Sequence, residues 1–199
     1  MKKNASGGKT IYIKAPNPSQ GKFVLPEMKS PFGLSSFTDA KTSKVSYSLD
    51  LSIDNPELTV FFRELESRVV DNVLAHSEEY LGKVYSREVA MEALFKSAIR
   101  EGKEPGKYNP TIKLKIMTDN KGDFVPKCYD VNRKQIDLNE ITKGQRIKTI
   151  VELGSIWIVD NKFGVTVRLV QGMMMPKDVL TECAFPEDDV VEDDADVEV

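Results

Sequence analysis

Little in this chain can hold a metal or attack a substrate: 199 residues contain two cysteines, Cys128 and Cys183, and one histidine, His76. That scarcity excludes a paired-cysteine zinc site and leaves no Cys/His arrangement for nucleophilic catalysis, so no cofactor is expected. Also missing is any apolar run near the roughly 18 residues of a membrane span, and the start, Met1-Lys2-Lys3-Asn4, lacks the apolar stretch of a secretory leader. The expectation is an intracellular protein with reduced thiols and no membrane partner. A third scarcity is positional, since no basic residue follows Lys177.

The net charge of -3 therefore averages two unlike regions. Ten of the 31 acids lie within 178–199, which leaves 21 acids against 28 basic residues in 1–177: a body of +7 beside a tail of -10. Such a body suits a polyanion, and such a tail either imitates that polyanion or recruits basic partners. Residues 186–199 hold eight acids and only small or β-branched apolar residues, too little burial to offset the entropy of ordering them. The expected division is a folded domain over 1–177 and a disordered acidic tail over 178–199.

Within the body, periodicity changes twice. Ile11 and Ile13 alternate with polar residues, Phe23-Val24-Leu25 is an apolar piece ending at Pro26, and 31–42 reads as loop. Val45, Tyr47, Leu49, Leu51 and Ile53 occupy every second position, the signature of a half-buried strand. Asp54-Asn55-Pro56 then supplies a cap and a proline at the first helical position, opening a helix to about residue 75. Ser86 opens a second, predicted to run over 87–100. Together they form a helical insert over about 55–101, on whose solvated faces Glu64 and Glu66 are expected. From Tyr108 the period returns to two: Ile112, Leu114 and Ile116 with a returning strand over 124–129, then 146–153, and a hairpin over 156–170. Strands, helices, strands is the order of an α+β domain or a small β-barrel with a helical insert.

The string Gly7-Gly8-Lys9-Thr10 has the end of a phosphate-binding loop, but the earlier glycine that loop requires is replaced by Lys3. The strands carry more. With Ile112, Leu114 and Ile116 inward, Lys113 and Lys115 project together from the other face; Arg146 and Lys148 oppose Ile147, and Arg168 opposes Val167 and Leu169. Cations neutralise phosphates and a flat ring stacks on any base, which is what single-stranded nucleic acid requires. The candidate phosphate contacts are Lys113, Lys115, Lys148, Lys162 and Arg168, and the candidate stacking rings are Trp157, Phe163 and Tyr129. Trp157 has a second reading, as a residue packed beneath the helices, and Tyr47 reads as core.

Ser30-Pro31-Phe32-Gly33-Leu34, Tyr47-Ser48-Leu49-Asp50-Leu51-Ser52, Asn55-Pro56 with Phe61-Phe62, Ser77-Glu78-Glu79, Ser86-Arg87-Glu88, Tyr108-Asn109-Pro110-Thr111-Ile112-Lys113-Leu114, and Ile156-Trp157 followed by Lys162-Phe163-Gly164-Val165 resemble the single-stranded DNA-binding proteins of nucleocytoplasmic large DNA viruses, in order over about 30–171. The resemblance implies an OB-type antiparallel barrel, similar in plan to the single-stranded DNA-binding proteins of short-tailed phages, with the helices as an insert between barrel strands. It implies a non-enzymatic, sequence-nonspecific single-stranded DNA-binding protein in viral DNA replication, recombination and repair, whose acidic tail competes for the DNA groove and recruits viral replication proteins. A homodimer, and a place in the host cytoplasm at replication factories, in the nucleus or in the virion, follow from the same source. One departure is that phage and bacterial tails of this kind often end in an aromatic residue, whereas Phe185 stands well upstream of Val199. The rival reading is a histone-chaperone-like or scaffold protein acting through its acidic tail.

Overall fold

Asp160 and Asn161, at φ of 49° and 62°, form a two-residue turn of the kind that matches strand twist. In the computed structural model this turn joins the two longest strands, which pair along almost their whole length. The described residues are 2–3, 7–14, 16–17, 21–40, 42–102, 104 and 106–177. The acidic tail over 178–199 and Cys183 lie outside them.

Among the described residues one mixed sheet contains β1 (Lys2–Lys3), β2 (Lys9–Tyr12), β3 (Lys22–Lys29), β4 (Leu34–Thr38), β5 (Val45–Ser52), β6 (Phe95–Lys96), β7 (Ile99–Arg100), β8 (Thr111–Ile116), β9 (Lys127–Tyr129), β10 (Gln135–Ile136), β11 (Arg146–Val159) and β12 (Lys162–Met174). The α-helical pieces described, α1 (Pro56–Ala75), α2 (Ser77–Leu81) and α3 (Arg87–Val89), all fall between β5 and β6, and a 3-10 turn over Leu138–Glu140 precedes β11. β11 pairs with β12 on one edge and successively with β3 and β2 on the other. β12 in turn runs parallel to β6, β8 and β9 along its free edge, and β8, β5 and β4 follow as antiparallel neighbours.

The pairing path from β3 through β11, β12, β8 and β5 to β4 ends on two strands that are consecutive in the chain, and no ladder joins them. The expected closed antiparallel barrel is thus corrected to an open mixed sheet. Its break is occupied by a tight turn: the Gly33 N–H donates to the Ser30 hydroxyl at 3.1 Å, and the Leu34 N–H to the Ile141 carbonyl at 3.0 Å. Gly33 sits at φ 72°, and a Cβ there would lie 2.7 Å from the Ile141 carbonyl oxygen, so only glycine fits.

The α1 start follows the sequence: the Asn55 side chain accepts from the Glu57 N–H at 2.8 Å and Pro56 opens the helix. Its buried side divides between two cores. Phe62 joins Leu49, Leu51, Ile112, Leu114, Val151 and Leu169, while Val69, Val70 and Val73 pack with Phe95, Ile156, Ile158 and Phe163. The ribbon of β11 and β12 serves both cores because a bulge at Gly154 shifts its register between Leu153 and Ser155.

Several expectations change. The second helix stops at Leu94, after a short π-helical turn over Ala90–Leu94, and Phe95 (ψ 137°) begins extended chain where helix was expected to residue 100. β3 continues through Pro26, which lies at the register irregularity between the pairs Met28–Ile147 and Leu25–Thr149, where a missing N–H costs no ladder bond. Residues 34–38, expected as loop, are β4. The returning strand predicted over 124–129 makes a single bridge, Thr118 with Phe124, and β9 pairs instead with β10 and β12. Glu66, expected in solvent, is only 3% exposed. Lys9, in the loop-like string near the start, donates to the Tyr80 carbonyl at 2.9 Å at the end of α2.

Candidate nucleic-acid interface

On β8 the alternation places Ile112, Leu114 and Ile116 in the core and Lys113 and Lys115 on the opposite face. The register extends that face sideways: Ser48 of β5 stands opposite Lys115, Lys115 beside Arg168 of β12, and Arg168 opposite Glu152 of β11. One level on, Trp157 of β11 is paired with Gly164 of β12. A Cβ at Gly164 would lie 2.7 Å from Trp157 Cζ2 and 2.6 Å from the Lys96 carbonyl oxygen, so the missing side chain makes room for the indole against the sheet. Trp157 is half-buried and lines the groove.

These residues line a groove of about 320 Å³ whose walls carry Lys96, Arg100, Lys113 and Lys115, with Trp157 on one side and Phe37, Ser46 and Ser48 on the other. Four lining residues are basic and none is acidic. Among the described residues none of the four cations is in a salt bridge. Desolvation, followed by the charges of Lys44 and Arg168, holds the Lys115 ammonium below the usual lysine range. A phosphate beside Lys115 would offset the repulsive part of that shift. A buried acid, Asp50, stands opposite Lys113 in register without pairing to it, and the row remains positive.

The other expected contacts do not all join this groove. Arg168 lies beside it but is committed to Glu152, Nη2 to Oε1 at 3.0 Å, its stem lying across Gly154, where a Cβ would come within 2.7 Å of Arg168 Cδ. Lys148 and Tyr129 meet instead at a second groove of about 400 Å³ toward the far end of the β11–β12 ribbon, with Arg133, Val24, Gln171 and Met173. Lys162 is exposed beside the hairpin turn. Phe163 is corrected outright: its ring is fully buried, 5.6 Å from the Phe95 ring, and faces α1. Trp157 and Phe163 project from opposite faces because Ile158, not Trp157, is the partner of Phe163 across the two-residue turn.

Lys96, Arg100 and Phe37 were not anticipated. Phe37 is 68% exposed at the groove mouth, an apolar ring left in water on β4. Lys96 and Arg100 arrive on β6 and β7, in a stretch whose apolar spacing reads as helix. Tyr47 packs into the core, edge-on to Phe124 at 4.9 Å. His76 ends α1, stacked on Tyr80 at 5.2 Å. Among the described residues no group of His, Cys, Asp and Glu could hold a metal ion, and no helix is long and apolar enough to cross a membrane.

Comparison with solved structures finds likenesses to phage proteins. The single-stranded DNA-binding protein from bacteriophage Enc34 is 13% identical, with a TM-score of 0.51 over 91% of this chain and 98% of that one. The same phage protein in complex with single-stranded DNA gives a TM-score of 0.49 at 11% identity, covering 82% and 91% of the two chains. The single-stranded DNA-binding protein gp2.5 of bacteriophage T7 gives 0.45 at 18% identity, covering 89% and 98%. None of the curated proteins matches. At these identities the first of the three shows a shared fold. Residues 38–193, most of the chain and all of the groove except Phe37, match one family, and the protein belongs to that family of unknown function, DUF5871.

Proposed function

We propose that the protein is a non-enzymatic, sequence-nonspecific single-stranded DNA-binding protein. The observation that supports this best is the groove beside Trp157, whose four cations are in no salt bridge among the described residues. Cations without carboxylate partners favour a polyanion, and an indole seated on a glycine offers a stacking surface with little side-chain entropy left to lose. The Ser48 hydroxyl adds a neutral phosphate donor, and the four cations of the lining suit the phosphate oxygens of any sequence, which fits binding without sequence preference. The shared architecture with the Enc34 protein, named for single-stranded DNA binding, supports the same reading, as does the resemblance to the viral proteins. In that reading the open sheet is OB-like, and the role is in viral DNA replication, recombination and repair.

The acidic residues of 178–199 complete the proposal. Tethered to the body, they compete for the groove at high effective concentration and, once displaced by DNA, are free for basic replication proteins. Gel shifts with oligo-dT, duplex DNA and RNA test the first part; preference for the single strand, with affinity falling steeply in salt, is the expected result. The intact chain compared with a 1–177 truncation at two salt concentrations tests the second. Tighter, still salt-sensitive binding by the truncation is expected, and equal binding by the two removes the competing tail.

A further inference from the structure

Half of the groove's charge comes from an unpromising place. Lys113 and Lys115 stand on a regular six-residue strand, whereas Lys96 and Arg100 sit on β6 and β7, each two residues long. Four ladder positions are little to fix a segment that has just left a π-helical turn. Between them, Ser97 and Ala98 are held from below by α1. Glu66 Oε1 accepts from the Ala98 N–H at 2.7 Å and from the Ser97 hydroxyl at 2.8 Å, and Oε2 lies 2.9 Å from that hydroxyl. Ser97 Oγ in turn accepts from the Ile99 N–H at 3.0 Å. Arg63 adds a partner, Nη1 lying 3.6 Å from Glu66 Oε2 and Nη2 2.8 Å from Glu101 Oε1.

A carboxylate that is 3% exposed on a helix face otherwise lined by valine and phenylalanine is costly unless its bonds require it. Among the described residues, every bond it makes beyond α1 goes to Ser97 and Ala98, two of the three residues between Lys96 and Arg100. We infer that Glu66 is a positioning residue for polyanion binding: a buried strut that stops the helix short at Leu94 and presents Lys96 and Arg100 to the groove. It touches no ligand and acts only through Ser97 and Ala98. The inference rests on the nucleic-acid reading of the groove.

The experiment is a salt titration of oligo-dT binding by the full chain, with Glu66→Ala, Glu66→Gln, the pair Lys96→Ala/Arg100→Ala, and the triple combination. Loss of two phosphate contacts flattens the slope of log affinity against log salt by about 1.4, at about 0.7 per contact for single strands. Glu66→Ala is expected to show that flattening, the cation pair to show the same, and the triple variant to add nothing. Glu66→Gln keeps an acceptor for Ala98 and is expected to restore the slope. Amide exchange at Ala98 reads the strut without DNA: protected in the native chain and in Glu66→Gln, fast in Glu66→Ala. Should Glu66→Ala not fold, Ser97→Ala removes the hydroxyl half of the link while the Ala98 bond stays, and is expected to flatten the slope in part. A native slope in Glu66→Ala or Ser97→Ala, or a triple variant whose loss is the sum of its parts, overturns the inference. A native chain that ignores oligo-dT while Ala98 stays protected overturns the nucleic-acid reading and leaves Glu66 a structural residue.

Discussion

The two ends of the β11–β12 ribbon carry grooves of similar size and different character. At the hairpin end, beside Trp157, Lys96, Arg100, Lys113 and Lys115 converge without a single lining acid. At the other end Tyr129, Lys148 and Arg133 share a groove with Val24, Ile150 and Met173. The difference arises from what the parallel edge of β12 receives. Near Gly164 it takes β6, and at Val167 and Arg168 it takes β8, both of which bring lysines into the groove lining; from Gln171 it takes β9, whose Lys127 stays outside the second groove's lining and whose buried member is Cys128. Burial pushes the Cys128 thiol above the usual cysteine range, as expected for a side chain serving as core beneath the second groove. Charge density thus follows strand neighbours, and the lysine content of any one segment predicts it poorly.

That contrast can be broken most forcefully at β8. Lys113→Glu/Lys115→Glu replaces two attractions by two repulsions, and at about 1 kcal/mol for each surface charge contact affinity for oligo-dT falls about 100-fold or more. Circular dichroism should stay native, since neither side chain is core. Trp157→Ala comes next, with an expected loss of about 1–3 kcal/mol for one stacked base. As the chain has one tryptophan, its emission in the native protein reports the same contact, and emission unchanged at saturation would argue against stacking.

Smaller effects sharpen the comparison from the other side. Tyr129→Ala/Lys148→Ala in the second groove is expected to weaken oligo-dT binding by less than Trp157→Ala alone; a larger loss would move the principal site to the far end of the ribbon. The smallest effect concerns Lys115 and pH. Its proton is held less tightly in the folded chain than in the unfolded one, so protonation opposes folding, and its contribution to stability rises as pH climbs through the lowered value toward the ordinary lysine range. Lys115→Met removes that opposition: thermal melts should show the variant slightly more stable than the native chain at neutral pH, with the gap closing in alkali. A variant less stable at neutral pH would show that Lys115 is favourably placed without DNA.

Local chemistry was legible where a single segment contains its own reason. Asn55-Pro56 marked the start of α1 because cap and proline act within one turn, and the alternation in 45–52 and 111–116 named the buried face of β5 and β8. Phe163 was legible too, by a signal not used: a two-residue turn sets Lys162 opposite Val159 and therefore Phe163 opposite the buried Ile158, away from Trp157. Other features had no local cause. The 87–100 stretch keeps helical spacing, yet a carboxylate some thirty residues earlier captures Ser97 and Ala98 and ends the helix. Pro26 reads as a strand end until the bulge that contains it is known.

By itself the sequence determined the charge division at Lys177, the capped helix, and which side of β5 and β8 turns inward, since these depend on composition and on contacts a few residues apart. Tertiary structure alone decided which cations share a groove. Lys96, Arg100, Lys113 and Lys115 meet because β12 accepts β6 and β8 in parallel along one edge, and parallel pairing joins segments whose separation in the chain leaves no periodic trace.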